Sequence, residues 1–88
     1  MLFFYRTAAG AEIDLLIEFA PNIVIAVEIK RSLAPSLTKS FHEAMATVKP
    51  YKAFVVYSGD DQYKVAKDVE VISLMKFLEF IQNFTANL

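Results

Sequence analysis

GAEIDLLIEFAPNIVIAVEIK, residues 10–30, is the stretch whose reading decides the fold. It is apolar almost throughout, yet Glu12, Asp14, Glu18, Glu28 and Lys30 interrupt it, always at even-numbered positions. Period two is a strand signature, because successive side chains of a pleated strand point to opposite faces. Glu12 to Phe19 and Ile23 to Lys30 both alternate in this way, and Ala20-Pro21-Asn22 separates them. Pro21 pre-sets φ for a turn and Asn22 tolerates the left-handed conformation, so the stretch predicts a β-hairpin. One hairpin face, with Ile13, Leu15, Ile17, Phe19, Ile23, Ile25, Val27 and Ile29, is wholly apolar and is expected to be core. The other carries Glu12, Asp14, Leu16 and Glu18 against Val24, Ala26, Glu28 and Lys30, so charge gathers away from the turn.

The register follows from the same alternation. Directly paired residues of an antiparallel ladder share a face, and an even turn would set Asp14 against apolar Ile29. An odd turn is therefore required. With Ala20, Pro21 and Asn22 as the loop, Phe19 pairs with Ile23, Asp14 with Glu28, and Glu12 with Lys30.

Opposed carboxylates repel and are avoided in sheets unless something draws them together. A divalent cation does so. Mg²⁺ or Mn²⁺ takes hard oxygen ligands, which Asp14, Glu28 and the Ile29 backbone carbonyl supply in part, with water and a substrate phosphate left to complete the shell. Lys30 lies on the same face, about one strand repeat from Glu28, where it could position or deprotonate a water or stabilise charge on a phosphoryl oxygen. The competing reading of these residues is a solvated strand face with a Glu12–Lys30 ion pair that contributes little.

Outward from the hairpin, Leu2 to Thr7 is aromatic-rich and reads as a first strand, with a turn over Ala8 to Ala11. After the hairpin, Pro35-Ser36 punctuates the chain. Leu37, Phe41, Ala44, Met45 and Val48 then fall on one helical face, with Ser36 as N-cap and Lys49-Pro50 as the stop. Lys52 to Ser58 is a nearly continuous apolar strand of the kind buried on both faces, and Gly59-Asp60-Asp61 turns away from it. Strand, helix, strand implies a parallel crossover. Val69 to Ile72 reads as a short edge strand, after which Ser73 caps a helix with Leu74, Phe77, Leu78, Ile81 and Phe84 in one stripe. The fold class expected is α/β, a mixed central sheet built from an antiparallel meander and a parallel crossover strand, flanked by helices.

The remaining residues offer less chemistry. Glu18 stands near the loop end and is expected to be solvated, and His42 to lie on the helix surface. Tyr5 would share the acidic face, and Arg6 the other, if the first turn were even. No glycine-rich phosphate loop exists, so the chain is not expected to bind a nucleotide.

Composition bounds the rest. Eighty-eight residues make one small domain with one core. A hydrophobic share of 56% and a mean hydropathy of +0.38 are rich for such a domain and point to apolar surface meant for a partner. The net charge of −1, with scattered lysines, lacks the basic stripe of a stand-alone nucleic-acid binder. Without cysteine there are no disulfides, thiolate metal sites or cysteine nucleophiles, which fits a reducing compartment. No apolar run is long enough to span a bilayer, and a cytoplasmic location is expected.

Asp14, then Glu28-Ile29-Lys30 on the adjacent strand, followed by a helix and an apolar strand, resembles the core of the PD-(D/E)XK nuclease superfamily. More narrowly, YRTAAGAEIDLLIE, AVEIKRSLAPS and FVVYSGDD resemble the C-terminal domain of unknown function that follows the ATPase module of many prokaryotic AAA-type ATP-binding proteins. The resemblance runs from Tyr5 to about Leu78. It implies that Asp14 and Glu28 match the metal-binding acids and Lys30 the catalytic lysine, with Glu12 auxiliary. Active members usually place a helix, often with another acid, before the first strand, and this chain begins at a strand. The expectation is therefore a restriction-endonuclease-like core lacking its first helix, residues 1–88 being a nuclease-like C-terminal part of a larger ATPase.

Two functions are weighed on this basis. One is Mg²⁺- or Mn²⁺-dependent phosphodiester hydrolysis of nucleic acid. The other is a catalytically degenerate module of the same fold that binds the parent ATPase module or a second copy of itself through uncovered apolar surface.

Overall fold

The computed structural model describes residues 2–6, 12–21, 23–31 and 39–87, with residues 2–6, 12 and 13 described by backbone alone. Strands β1 (Leu2–Arg6), β2 (Glu12–Ala20) and β3 (Ile23–Ile29) precede helix α1 (Lys39–Val48). Strands β4 (Lys52–Tyr57), β5 (Tyr63–Ala66) and β6 (Val69–Ser73) follow, and helix α2 (Leu74–Ala86) closes the chain. The strands form one sheet in the order β1-β2-β3-β4-β6-β5. β1, β2 and β3 are an antiparallel meander, β4 runs parallel to both β3 and β6, and β5 is antiparallel to β6. The mixed α/β architecture read from the alternation is present.

The hairpin register is the expected one over most of its length. Leu15 pairs with Val27, Leu16 with Ala26, Ile17 with Ile25 and Glu18 with Val24, which is the odd register the charges require. At the turn it shifts, and Ile23 faces Ala20 in place of the expected Phe19. The register slips by one residue between Glu18 and Ala20. In the β1–β2 ladder, Tyr5 pairs with Ile13 and Arg6 with Glu12, so Arg6 and not Tyr5 takes the register of the acidic face.

Both faces of the sheet are covered, each by one helix. Leu16, Ala26, Phe41, Ala44, Ala53, Val55 and Val71 are buried together, with Met45 and Val48 of α1 packed against them. The acidic hairpin face is thus core around Leu16 and Ala26, with half-buried Glu18 on its turn side and Asp14 and Glu28 at its far end. Ile25, Val27, Phe54, Val56, Ile72 and Phe77 form the second cluster under α2, joined by half-buried Leu15, Ile17, Phe80 and Ile81. Lys52–Tyr57 is buried on both faces from Ala53 onward, as a continuous apolar strand between two parallel neighbours should be.

Four expectations are corrected. Val69–Ile72 is not an edge strand, because β5 pairs outside it. β5 carries no strand signal in the sequence, because all its side chains are exposed and no core face imprints an alternation on it. The α2 stripe is rotated: Phe77, Phe80, Ile81 and Phe84 turn inward, while Leu74 and Leu78 stand in solvent. Ile29, expected in the core, is 59% exposed. Glu18 is half-buried rather than solvated. His42 is exposed, as expected. The turn at Ala8–Ala11, Asn22, the Ser36 cap and Leu37 lie outside the described residues.

Local chemistry fixes the ends. The Ser73 hydroxyl accepts from Lys76 N at 3.2 Å, the expected cap of α2. α1 stops where Lys49 adopts φ 51° and donates to the Met45 carbonyl, after which Pro50 bars continuation. Across β4, β6 and α2 runs a part-buried polar clamp. Lys52 Nζ lies 3.2 Å from Glu70 Oε1 and over the rings of Phe54 and Phe80, and Gln62 donates to Glu70 Oε2 at 2.8 Å. The Gln62 hydrogen bond, followed by that from Lys52, holds the Glu70 carboxyl below its ordinary value of 4.5 against the opposing effect of burial.

A carboxyl with a depressed folded pKa stabilises above its unfolded pKa and ceases to do so as pH falls through the folded one. Glu70→Gln is therefore expected to cost about 1–2 kcal/mol at neutral pH. It should cost nothing measurable in acid well below the glutamate range, as read by denaturant melts at the two pH values.

Candidate active site

β2 and β3 part company at the charged end of the hairpin. Their ladder runs to Leu15 opposite Val27. Beyond that point β2 remains paired with β1, through Tyr5↔Ile13 and Arg6↔Glu12, while β3 remains paired with β4, through Glu28↔Val55 and Ile29↔Val56. The sheet opens between them, and the Ile29 N–H donates to Asp14 Oδ2 at 2.8 Å. The adjacent Lys30 N–H donates the other way, to the Val56 carbonyl at 2.9 Å. The N–H and C=O of one strand residue point to the same neighbour. The Ile29 carbonyl is thus turned toward β2 and the mouth of the opened hairpin, the side on which Asp14 stands.

The same register, continued one pair, sets Asp14 against Glu28, and their side chains are hydrogen-bonded. Glu28 is 7% exposed and one of the few buried polar residues. The hydrogen bond with Glu28 lowers the Asp14 pKa most; the Ile29 N–H and the charge of Lys30 lower it further, and burial opposes them. Asp14, Glu28 and the Ile29 backbone meet at this mouth, and the charge of Lys30 acts on Asp14, while Lys30 also lines a groove on the α2 side and not only the face of Glu28. The Glu12 side chain lies outside the described residues, and its backbone pairs with Arg6.

Two features had no signal in the sequence. The Ser58 hydroxyl donates to the Arg31 carbonyl at 2.9 Å and, with the Lys30–Val56 bond, ties the segment after Glu28 to the end of β4. On the α2 side of the sheet, a groove of about 500 Å³ opens over Leu15, Val27, Ile29, Val56, Leu74 and Phe77. It exists because α2 covers β4 and β6 and leaves the open ends of β2 and β3 bare.

As a cation site the arrangement offers two carboxylates and a carbonyl. No group of three His, Cys, Asp or Glu side chains able to hold a metal occurs among the described residues. Mg²⁺ is ordinarily held by one or two carboxylates, the rest of its shell being water and substrate phosphate, so the donor set fits that ion and Mn²⁺. No helix among the described residues is long and apolar enough to cross a membrane.

Fold and site define an α/β domain whose mixed sheet opens at one hairpin, where Asp14 lies against the buried carboxyl of Glu28. The chain belongs to the family described as a domain of unknown function, DUF4143, which matches residues 1–77. It is similar to uncharacterized proteins of Mycobacterium tuberculosis and Mycobacterium bovis, 28% identical to each over 71 residues. The match covers 81% of this chain but only 16% of each relative's length. No solved structure matches it.

Proposed function

We propose that this chain is a PD-(D/E)XK-like nuclease domain of a larger ATP-binding protein, acting on phosphodiester bonds of nucleic acid. The observation that carries the reading is the opened hairpin mouth, where Asp14 and Glu28 share a hydrogen bond within the field of Lys30. Setting a buried carboxyl against a second acid is costly unless something offsets it, and a bound cation would do so. Asp14, Glu28 and the Ile29 carbonyl would hold Mg²⁺ or Mn²⁺, which when bound polarises a phosphoryl oxygen and acidifies a water. Lys30 stands where it stabilises negative charge on the phosphoryl oxygens or restrains the attacking water. Ser58 and the Lys30–Val56 bond keep that segment in place.

The test is Mn²⁺-dependent nicking of supercoiled plasmid and cleavage of single-stranded RNA by this chain. Lys30→Met should reduce either rate by about a hundredfold or more while leaving Mn²⁺ affinity nearly unchanged, since Lys30 is not a ligand. Equal cleavage by Lys30→Met and the parent would sink the reading. Exposed apolar side chains beside the groove favour a second reading, an interaction module of the same fold.

A further inference from the structure

α2 leaves much of its own apolar surface in water. Leu74, Met75 and Leu78 are 55%, 67% and 47% exposed, and Leu74 also walls the groove floored by Leu15, Val27 and Ile29. Residues three and four apart share a helix flank, so Leu78 continues the wall from Leu74, and Met75, Leu78 and Gln82 form a seam beside it. Lys76 is turned elsewhere, its Nζ donating to the Asp60 carbonyl at 3.1 Å. The sheet explains the vacancy. Six strands about 4.8 Å apart make a surface wider than two helices of about 10 Å diameter, and α2 is the one helix on this face among the described residues. Ridge and groove thus lie side by side on one surface, which is what a two-fold interface requires.

The charges select the partner. Lys30 and Arg31 are the charged residues lining the groove, and both are cationic. The one carboxylate of α2, Glu79, is exposed and lies one residue beyond Leu78. A two-fold axis crossing between Met75 and Leu78 runs the two helices antiparallel and brings the partner's Glu79 level with Leu74. That is the first turn of α2 and the end of the groove that carries Lys30 and Arg31, where the helix N-terminus also favours an anion.

We propose that this face is a homodimer interface in which α2 of a second copy packs antiparallel against α2. The Met75 and Leu78 side chains of each copy bury against the other's Leu74, Leu78 and groove edge, and each Glu79 meets the opposing Lys30 and Arg31. The interface lies on the face of the sheet opposite the carboxyl pair and shares Lys30 with the proposed site, so its test rests on Met75, Leu78, Arg31 and Glu79 and reads association alone.

Sedimentation velocity of the full 88-residue chain from micromolar to millimolar concentration tests it. A monomer–dimer equilibrium is expected. Met75→Glu combined with Leu78→Glu should abolish it, and since both residues are exposed the variant should keep the parent circular dichroism and melting temperature. Arg31→Glu should weaken the dimer by about tenfold, and adding Glu79→Arg should restore most of the loss. A chain that stays monomeric throughout, as it would if the groove awaited a helix of another protein, overturns the proposal. So does a dimer indifferent to the double glutamate variant. Failure of the charge exchange to restore association overturns the antiparallel arrangement.

Discussion

Asp14→Asn is expected to weaken Mn²⁺ binding by at least about a hundredfold, because loss of a groups' outer-shell support alone typically costs ten- to a hundredfold and Asp14 would be a direct ligand. The fold should survive the change. Asparagine keeps the shape of the side chain, its Oδ1 can still accept the Ile29 N–H now received by Asp14 Oδ2, and its amide can donate to Glu28. Asp14 is held below its ordinary pKa, so the neutral variant should lose a little stability at neutral pH and none in acid well below the aspartate range. Isothermal calorimetry and paramagnetic broadening of amide resonances read the two effects separately. Saturable Mn²⁺ binding centred on residues 14 and 28–30, and lost in the variant, supports the site. Absence of binding by the parent at millimolar Mn²⁺ removes the metal reading, and undiminished binding by Asp14→Asn moves the ion elsewhere.

That Asp14 and Glu28 can be named from the sequence has a simple cause. A strand buried on its apolar side must present every second residue outward, and a charge on the wrong side would be buried unpaired, so alternation and register are tightly coupled. The pairing of Leu15 with Val27 was fixed by that coupling, and the Asp14–Glu28 contact follows from it. Where the coupling lapses, legibility lapses too. β5 has no buried face, so Tyr63 to Ala66 carries no pattern. On α2, Leu74, Phe77, Leu78, Phe80, Ile81 and Phe84 leave the inward direction ambiguous by about one residue's rotation. Packing of Phe80 on Phe54, with ring centroids 4.7 Å apart, settles it. The opening of the sheet at Ile29 is a consequence of different partners holding β2 and β3, a tertiary fact with no local signature.

Protons and cations compete for the adjacent carboxyls of Asp14 and Glu28, and this leads to the second large effect. A divalent cation requires both carboxyl groups ionised, so its binding must expel any proton the pair carries at that pH. Mn²⁺ affinity is therefore expected to rise with pH, by up to about tenfold per unit while the pair still carries a proton, and to level off once the proton is lost. The sign agrees with the hydrogen-bond pattern. Asp14 is held below its ordinary pKa by the bond with Glu28, the Ile29 N–H and Lys30, so it contributes stability above the usual aspartate range and loses it as pH falls through the lowered value. In the metal-free protein, then, acid acts on Asp14, and the proton that the cation must displace belongs to the pair. Calorimetry in two buffers of different ionisation enthalpy should give about one proton released per Mn²⁺ bound below the plateau and none on it. Glu28→Gln separates proton from geometry. Its amide donates to Asp14 without any proton to surrender, so the variant should bind Mn²⁺ weakly and with a flattened pH dependence. Binding by the parent that releases no proton at any pH would mean that the cation does not enter between Asp14 and Glu28, and the carboxyl pair would then be a hydrogen-bonded latch across the open end of the hairpin.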